Sequence, residues 1–188
     1  MIIVSQNLTN YNVPLPENCI FRINLAWVES IDELNNILEK NQNYKIFLDL
    51  PIGRTKPPNN KYSFEEIIQI LENKNIKFFA ISNVDSKADI EKYISKIPEH
   101  VTLVPKIESP DGVKNISQIV SVLKGRRIIM LDHDDLFSNT IKRKETPDHF
   151  QKYFSNLVQY CEQENITVLR TIGVIFSELE KRTTNFIK

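Results

Sequence analysis

This sequence contains few glycines and cysteines and has no net charge. It contains only 4 glycines in 188 residues and no GxGxxG or GxxxxGK[ST] pattern, which argues against a glycine-rich phosphate cradle. Its 24 basic residues balance 24 acidic ones, so it has no basic footprint for nucleic acid and no general attraction to anionic lipid. Cys19 and Cys161 have no CxxC spacing, and we expect two reduced, buried thiols.

Long apolar runs are also missing. No run approaches the roughly 18 residues that span a bilayer, and residues 1–5 lack the charged start and apolar stretch of a signal peptide. We therefore expect a cytoplasmic protein that contacts neither membrane nor nucleic acid. The length suits one domain, residues 1–188, around one sizeable core.

Short runs rich in β-branched and aromatic residues alternate with segments of helical periodicity. This alternation predicts a parallel sheet with right-handed crossovers, either an open doubly wound sheet or a (β/α) barrel. The predicted strands are residues 2–6, 19–25, 45–50, 77–83, 101–107, 127–131 and 166–172. Helices are predicted to begin near Ser30, Ser63, Ser86, Pro110 and Thr146, with a last one from about residue 176.

Polar side chains collect where the predicted strands end. The carboxyl ends of parallel strands meet at one edge of a sheet, where α/β proteins place their sites. Charged residues on a buried strand are costly unless they share partners or an open cavity, so this pattern favours an active site. The alternative is that each residue caps the next helix or lies in a solvated loop. The strand-end residues are Arg22, Asn24, Asp49, Ser82, Asn83, Lys106, Glu108, residues 132–135, Arg170 and Thr171.

Two strand-end carboxylates suggest a metal site. Glu108 and the acidic run 132–135 lie one βα unit apart, so carboxylates from the two strand ends can share a divalent cation. We expect Asp132 and Asp134 to point away from Asp135, since successive residues of an extended strand alternate sides. His133 lies near the expected metal and could act as an acid or base. The charged run 142–145 follows the same strand. It is either a solvated loop or a segment that attracts an anionic substrate.

Several segments, taken in chain order, carry a resemblance over nearly the whole sequence. Residues 106–113 are similar to K-I-E-x-x-x-G-V and residues 129–136 to I-M-V-A-R-G-D-L. Weaker matches are residues 22–24 to R-x-N, residues 48–54 to L-D-x-x-G-P…R, residues 78–87 to F-x-A-x-S-F-V, and Thr171 to the threonine of A-T-Q. The sequence thus resembles the barrel domain of pyruvate kinase and, more broadly, the phosphoenolpyruvate/pyruvate superfamily, which includes 2-oxo acid aldolases and citrate lyase β-like enzymes.

The resemblance implies a TIM-type (β/α) barrel and a role for each matching residue. Glu108 and Asp135 would bind Mg²⁺ or Mn²⁺, since hard cations take oxygen ligands. The catalytic residues would be Lys106, which stabilises an enolate oxygen or a transferred phosphoryl group, with Arg22 and Thr171, which hold substrate charge. Substrate-binding residues would be Asn24, Asp49, Arg54 and His133.

The sequence also departs from the family pattern. No lid domain follows strand three, Asp134 replaces the glycine before the metal aspartate, and no eighth strand is evident, so we expect an incomplete barrel of about seven strands. Asp134 would repel an anionic substrate unless its side chain turns outward.

Three functions stay open. The first is a divalent-metal-dependent enzyme of pyruvate or 2-oxo acid enolate chemistry, such as an aldol-type C–C lyase. The second is pyruvate-kinase-like phosphoryl transfer with phosphoenolpyruvate, and the third is a non-catalytic, pyruvate-kinase-like binding or regulatory protein. Expected partners are a small 2-oxo acid or phosphoenolpyruvate-like substrate, and a second copy or another chain that completes the barrel edge.

Overall fold

The computed structural model describes residues 2–5, 18–54 and 57–170. Within them, seven parallel strands form one sheet whose order follows the chain from β1 to β7. The strands are β1 Ile3–Ser5, β2 Ile20–Asn24, β3 Lys45–Leu50, β4 Ile76–Ile81, β5 Thr102–Ile107, β6 Ile128–Leu131 and β7 Thr167–Arg170. The helices are α1 Ile31–Lys40, α2 Phe64–Ile67, α3 Ala88–Ile94, α4 Pro110–Lys114, α5 Ile116–Ser121, α6 His133–Lys142 and α7 Pro147–Gln163, with 3-10 turns at Leu25–Trp27 and Ile70–Glu72.

The fold is an incomplete α/β barrel, as predicted. Each strand pairs with the next, and β1 and β7 do not pair with each other among the described residues. Only a loop connects Leu50, the last residue of β3, to Phe64, the first of α2, so no lid domain lies there. Residues 171–188, which include Thr171 and the predicted last helix, lie outside the described residues.

The helical prediction needs two corrections. The helix expected to run through residues 113–123 is divided at Asn115 into α4 and α5. Helix α6 was not predicted at all, because its apolar residues do not form a clean stripe: Leu136 is buried, whereas Phe137 and Ile141 are exposed.

The period-two alternation of the strands separates two apolar clusters. The larger cluster includes Ile46, Leu48 and Leu50 of β3 and packs with helical residues such as Leu34 and Leu157. The smaller cluster fills the opposite, inner face with Ile20, Phe47, Phe78, Ala80, Val104, Ile128 and Met130. The inner face is therefore apolar near the amino ends of the strands.

Continuing the same alternation toward the carboxyl ends changes the chemistry of this inner face. Phe47 is followed two residues later by Asp49, Val104 by Lys106, and Ile20 by Arg22. Glu108 and Asp132 continue the same alternation beyond Lys106 and Met130. The strands thus place charged side chains together at one edge, above an apolar floor.

Glycine is required where helix α4 meets the end of β4. A Cβ atom on Gly112 would lie 2.6 Å from the carbonyl oxygen of Val84. The absence of a side chain lets the turn after Glu108 pack directly against the neighbouring strand end, which fixes the relative position of β4 and β5.

Cys19 and Cys161 are both free and buried, as predicted, and burial raises the pKa of the Cys161 thiol to about 11. Among the described residues, no helix is long and apolar enough to cross a membrane.

Candidate active site

A cavity of about 210 Å³ opens at the carboxyl ends of β2 to β6. This volume is below the roughly 300–1,000 Å³ of typical ligand pockets, so it suits a small metabolite. Its lining is polar and draws on five consecutive strands and the segments that follow them: Arg22, Asn24, Pro51, Gly53, Arg54, Ser82, Asn83, Lys106, Glu108, Asp132, Asp135, Asn139 and Lys142.

Lys106 is the buried cation of this cavity, with only 4 % of its surface exposed. Its Nζ lies 2.8 Å from Glu108 Oε1 and 3.7 Å from Asp49 Oδ2, and it donates a hydrogen bond of 2.9 Å to Ser82 Oγ. Burial alone would lower the pKa of Lys106, but Asp49 and Glu108 outweigh burial and raise it above the ordinary lysine value. Lys106 is therefore a fixed positive charge at neutral pH.

Glu108 is held by a donor at each oxygen. Oε1 faces the Lys106 ammonium, and Oε2 accepts a hydrogen bond of 2.7 Å from the backbone N–H of Asn83. Burial raises the pKa of Glu108 despite the opposing effect of Lys106. Removing water thus makes the negative charge costly, and a bound cation would offset that cost.

Arg22 and Asp49 form a second ion pair beside the first. Asp49 is fully buried, and its Oδ2 accepts hydrogen bonds from Arg22 Nε at 3.1 Å and from Arg22 Nη2. Asp49 Oδ1 has no hydrogen-bond partner among the described residues. Arg22 lines the cavity whereas Asp49 does not, so Asp49 orients the guanidinium from behind.

Three carboxylates converge at the far side of the cavity. Glu108, Asp132 and Asp135 each offer an oxygen within 4.8 Å of the others. Opposite oxygen ligands lie about 4.2 Å apart around Mg²⁺ and about 5 Å apart around Ca²⁺, so this spacing and the all-oxygen donor set fit one hard divalent cation.

Asp132 corrects the sequence prediction, which had it pointing away from Asp135. It is the N-cap of α6, and one of its oxygens accepts a hydrogen bond of 3.2 Å from the backbone N–H of Asp135. The chain becomes helical at this point, so the alternation of an extended strand no longer relates the two residues. Asp134, in the first turn of α6, is exposed and outside the cavity lining.

Helix α6 contributes Asn139, which the sequence prediction missed, and Lys142, which it considered only as part of the charged run 142–145. Asp135, Asn139 and Lys142 are spaced i, i+4 and i+7, which places them on one helix face. Asn139 Nδ2 donates a hydrogen bond of 2.8 Å to the backbone carbonyl of Glu108, and Lys142 lines the cavity. The helical spacing was a usable signal, but only once α6 itself was recognised.

The β3–α2 loop borders the cavity and is tied to the end of β4. Asn83 has a positive φ of 55°, and its Nδ2 donates a hydrogen bond of 2.6 Å to the carbonyl of Ile52. Arg54 lines the cavity while its Nε donates a hydrogen bond of 2.8 Å to the carbonyl of Pro58. Asn83 therefore connects this loop to Glu108, whose Oε2 its backbone N–H contacts.

The structure brings together Arg22, Asn24, Arg54, Lys106, Glu108 and Asp135 around one cavity. It does not bring His133 to this cavity, because the imidazole packs against Phe154 with ring centroids 5.4 Å apart. Burial and the nearby Arg170 lower the pKa of His133. Thr171 lies outside the described residues.

Comparison with solved structures identifies the fold. RipC from Yersinia pestis is similar with a TM-score of 0.60 at 15% identity, covering 88% of this chain and 75% of that one. Citrate synthase SbnG is similar with a TM-score of 0.62 at 12% identity, and the match covers 89% of this chain and 73% of that one. An HpcH/HpaI aldolase from Desulfitobacterium hafniense DCB-2 is similar with a TM-score of 0.61 at 10% identity, and the match covers 88% of this chain and 73% of that one.

At 10–15% identity, these similarities show that the chain shares its fold with the three structures, and that fold is the one the predicted resemblance implies. No protein-family model matches the sequence, and no curated protein matches it significantly.

Proposed function

We propose that this protein is a divalent-metal-dependent enzyme of 2-oxo acid enolate chemistry that cleaves or forms a C–C bond by an aldol-type reaction. The observation that supports it most is the buried Lys106–Glu108 pair, which lies in one cavity with the three-carboxylate cluster. Two of the similar structures, a citrate synthase and an aldolase, support the same chemistry.

Glu108, Asp132 and Asp135 would hold the cation, either Mg²⁺ or Mn²⁺. When bound, such an ion acts as a Lewis acid that polarises the 2-oxo group of the substrate. In aldol cleavage the substrate hydroxyl loses its proton, the C–C bond breaks to release a carbonyl compound, and the electron pair of that bond remains as an enolate whose negative charge develops on oxygen. Lys106 is suited to stabilise that oxygen, because its charge is fixed by Ser82 and Glu108 before the reaction begins.

Arg22 would bind the substrate carboxylate. Asp49 accepts hydrogen bonds from one edge of the Arg22 guanidinium and holds this group at the cavity wall. The fixed position reduces the entropy lost when substrate binds. Asn24, from the same face of β2, lies beside it in the lining.

Solvent exchange into the methyl group of pyruvate tests this proposal directly. In D₂O with Mg²⁺ or Mn²⁺, the wild-type protein should catalyse deuterium incorporation, followed by NMR. Lys106→Met should reduce the rate by at least about a hundredfold, as losing one oxyanion donor does. Glu108→Gln should also reduce the rate, because the cation loses a charged ligand. Glu162→Gln, which changes an exposed glutamate of α7, should have no effect.

The same samples distinguish the other two predicted functions. Consumption of phosphoenolpyruvate with ADP, without exchange, would replace the proposal with phosphoryl transfer. If calorimetry detects no Mn²⁺ binding that depends on Glu108, the protein is a non-catalytic binding or regulatory protein.

A further inference from the structure

Asn83 lies between the candidate cation site and the β3–α2 loop, and it contacts both. Its backbone N–H donates a hydrogen bond of 2.7 Å to Glu108 Oε2, and its side-chain Nδ2 donates one of 2.6 Å to the carbonyl of Ile52. The two contacts come from different parts of the residue, so different substitutions can remove them separately. The proposed chemistry uses Glu108 as a cation ligand but gives Asn83 no role.

The left-handed backbone of Asn83 sets the direction of its N–H. Its φ is 55°, in a region that asparagine tolerates and that β-branched residues rarely adopt. The flanking N–H groups are held on either side, because Ser82 donates to the carbonyl of Leu50 at 3.3 Å and Val84 to that of Lys106 at 3.2 Å. With both neighbours fixed, the orientation of the Asn83 N–H depends on its own φ.

The hydrogen bond from Asn83 fixes the carboxylate of Glu108 without blocking it. Lys106 Nζ lies 2.8 Å from Oε1, so each carboxylate oxygen has one fixed partner. A carboxylate oxygen has two lone pairs, and each oxygen therefore keeps one for a cation. Groups that orient a metal ligand typically change metal affinity by roughly 10–100-fold when they are removed. The Asn83 N–H is such a group.

The side chain of Asn83 holds the turn that brings Arg54 to the cavity. Ile52, whose carbonyl accepts the hydrogen bond from Nδ2, precedes Gly53, which has a positive φ of 72°. A Cβ atom on Gly53 would lie 3.2 Å from Asn83 Nδ2, so the turn and the amide pack closely. The backbone N–H groups of Ile52 and Arg54 form hydrogen bonds within the same turn, so their exchange with solvent measures its order.

From this geometry we infer that Asn83 is a positioning residue with two separate roles. Its backbone N–H holds Glu108 in place for the cation, and its side-chain amide holds the β3–α2 loop at the mouth of the cavity. The first role rests on the proposed function, because it requires that Glu108 bind a cation. Glycine adopts a positive φ freely but has no side chain, so it should preserve the first role and lose the second.

Three variants separate the backbone from the side chain. Asn83→Val disfavours the positive φ and should weaken Mn²⁺ binding at least about tenfold in calorimetry. Asn83→Gly should restore the affinity to within about twofold of wild type, because the left-handed backbone and its N–H remain. Asn165→Val is the matched control, because Asn165 has a φ of 53° in an exposed turn before β7, outside the cavity. It should lower stability in urea but leave the Mn²⁺ affinity unchanged.

Amide exchange tests the role of the side chain without metal. In the metal-free protein, the amides of Ile52 and Arg54 should exchange with D₂O at least about threefold faster in Asn83→Gly than in wild type, followed by NMR. This acceleration corresponds to the loss of one hydrogen bond that holds the turn. Asn165→Val should leave the exchange of both amides unchanged.

The possible failures are distinguishable. If the wild-type protein binds no Mn²⁺, the proposed function is overturned and the first role falls with it. If the wild type binds Mn²⁺ but Asn83→Val binds it equally well, or Asn83→Gly loses as much affinity as Asn83→Val, only the first role is overturned. If the amides of Ile52 and Arg54 exchange at the wild-type rate in Asn83→Gly, the second role is overturned.

Discussion

Replacing Lys106 by methionine should destabilise the fold because it leaves two buried carboxylates without their shared cation. With an effective dielectric constant of about 20, the gross attraction is about 6 kcal/mol at the 2.8 Å separation from Glu108 and about 4.5 kcal/mol at the 3.7 Å separation from Asp49. Methionine also avoids the cost of burying the ammonium, so the expected net loss is about 3–5 kcal/mol. That is a large fraction of the about 5–15 kcal/mol that stabilises a typical domain.

The loss should depend on pH in a defined direction. Burial already raises the pKa of Glu108, and removing Lys106 raises it further because the nearby positive charge is gone. A raised folded-state pKa means that the deficit is smallest near the ordinary glutamate pKa of about 4.3 and grows as pH rises toward the folded-state pKa. Urea unfolding at about pH 5 and pH 8 should therefore show a larger loss at pH 8.

Two further variants make this prediction refutable. Lys106→Met/Glu108→Gln removes both charges and should recover more than half of the loss, because no buried glutamate charge remains. Lys45→Met, an exposed lysine at the start of β3, should change stability by less than about 0.5 kcal/mol. A loss below about 1 kcal/mol in Lys106→Met, or no recovery in the double variant, would refute the reasoning.

Three other predictions concern the three-carboxylate cluster and Gly112. Asp132→Asn and Asp135→Asn should each weaken Mn²⁺ binding at least about tenfold in calorimetry. Asp134→Asn should change the affinity little, and an equal effect at Asp134 would contradict the assignment of the cluster. Mn²⁺ affinity should rise with pH above about 4.3, since Glu108 must lose its proton; a flat profile to about pH 7 would exclude this coupling. Gly112→Ala should lower the free energy of unfolding in urea by about 1–3 kcal/mol, because the new Cβ would lie 2.6 Å from the Val84 carbonyl oxygen. An unchanged free energy of unfolding would show that α4 can shift to make room.

The sheet could be predicted from the sequence because strands buried on both faces leave a strong local signal. All seven strands were placed correctly to within a few residues, since each is a short apolar run bounded by polar residues. The position of Lys106 and Glu108 at one edge followed from the parallel order of the strands. These features depend on residues that are near one another in the sequence.

The error at Asp132 had a different cause. Leu131 ends β6, and Asp132 belongs both to the inner-face alternation of that strand and to the cap of α6. The spacing from Asp132 to Asp135 is that of a helix N-cap and its third residue, a signal that the sequence carried. The pairing of Arg22 with Asp49 was not predicted, because it depends on how far the arginine side chain reaches across two neighbouring strands.

The order of the strands has a consequence for how the site assembles. The cross-strand contacts of the cavity, Arg22 to Asp49, Ser82 to Lys106 and Asn83 to Glu108, are separated by 27, 24 and 25 residues. The first contact closes the unit from β2 to β3 and the other two close the unit from β4 to β5, so the two closures carry a similar entropic cost. An ion or substrate that binds only the complete site would hold together residues from the ends of five successive strands. The melting temperature should then rise with the concentration of that ligand and fall when a chelator is added.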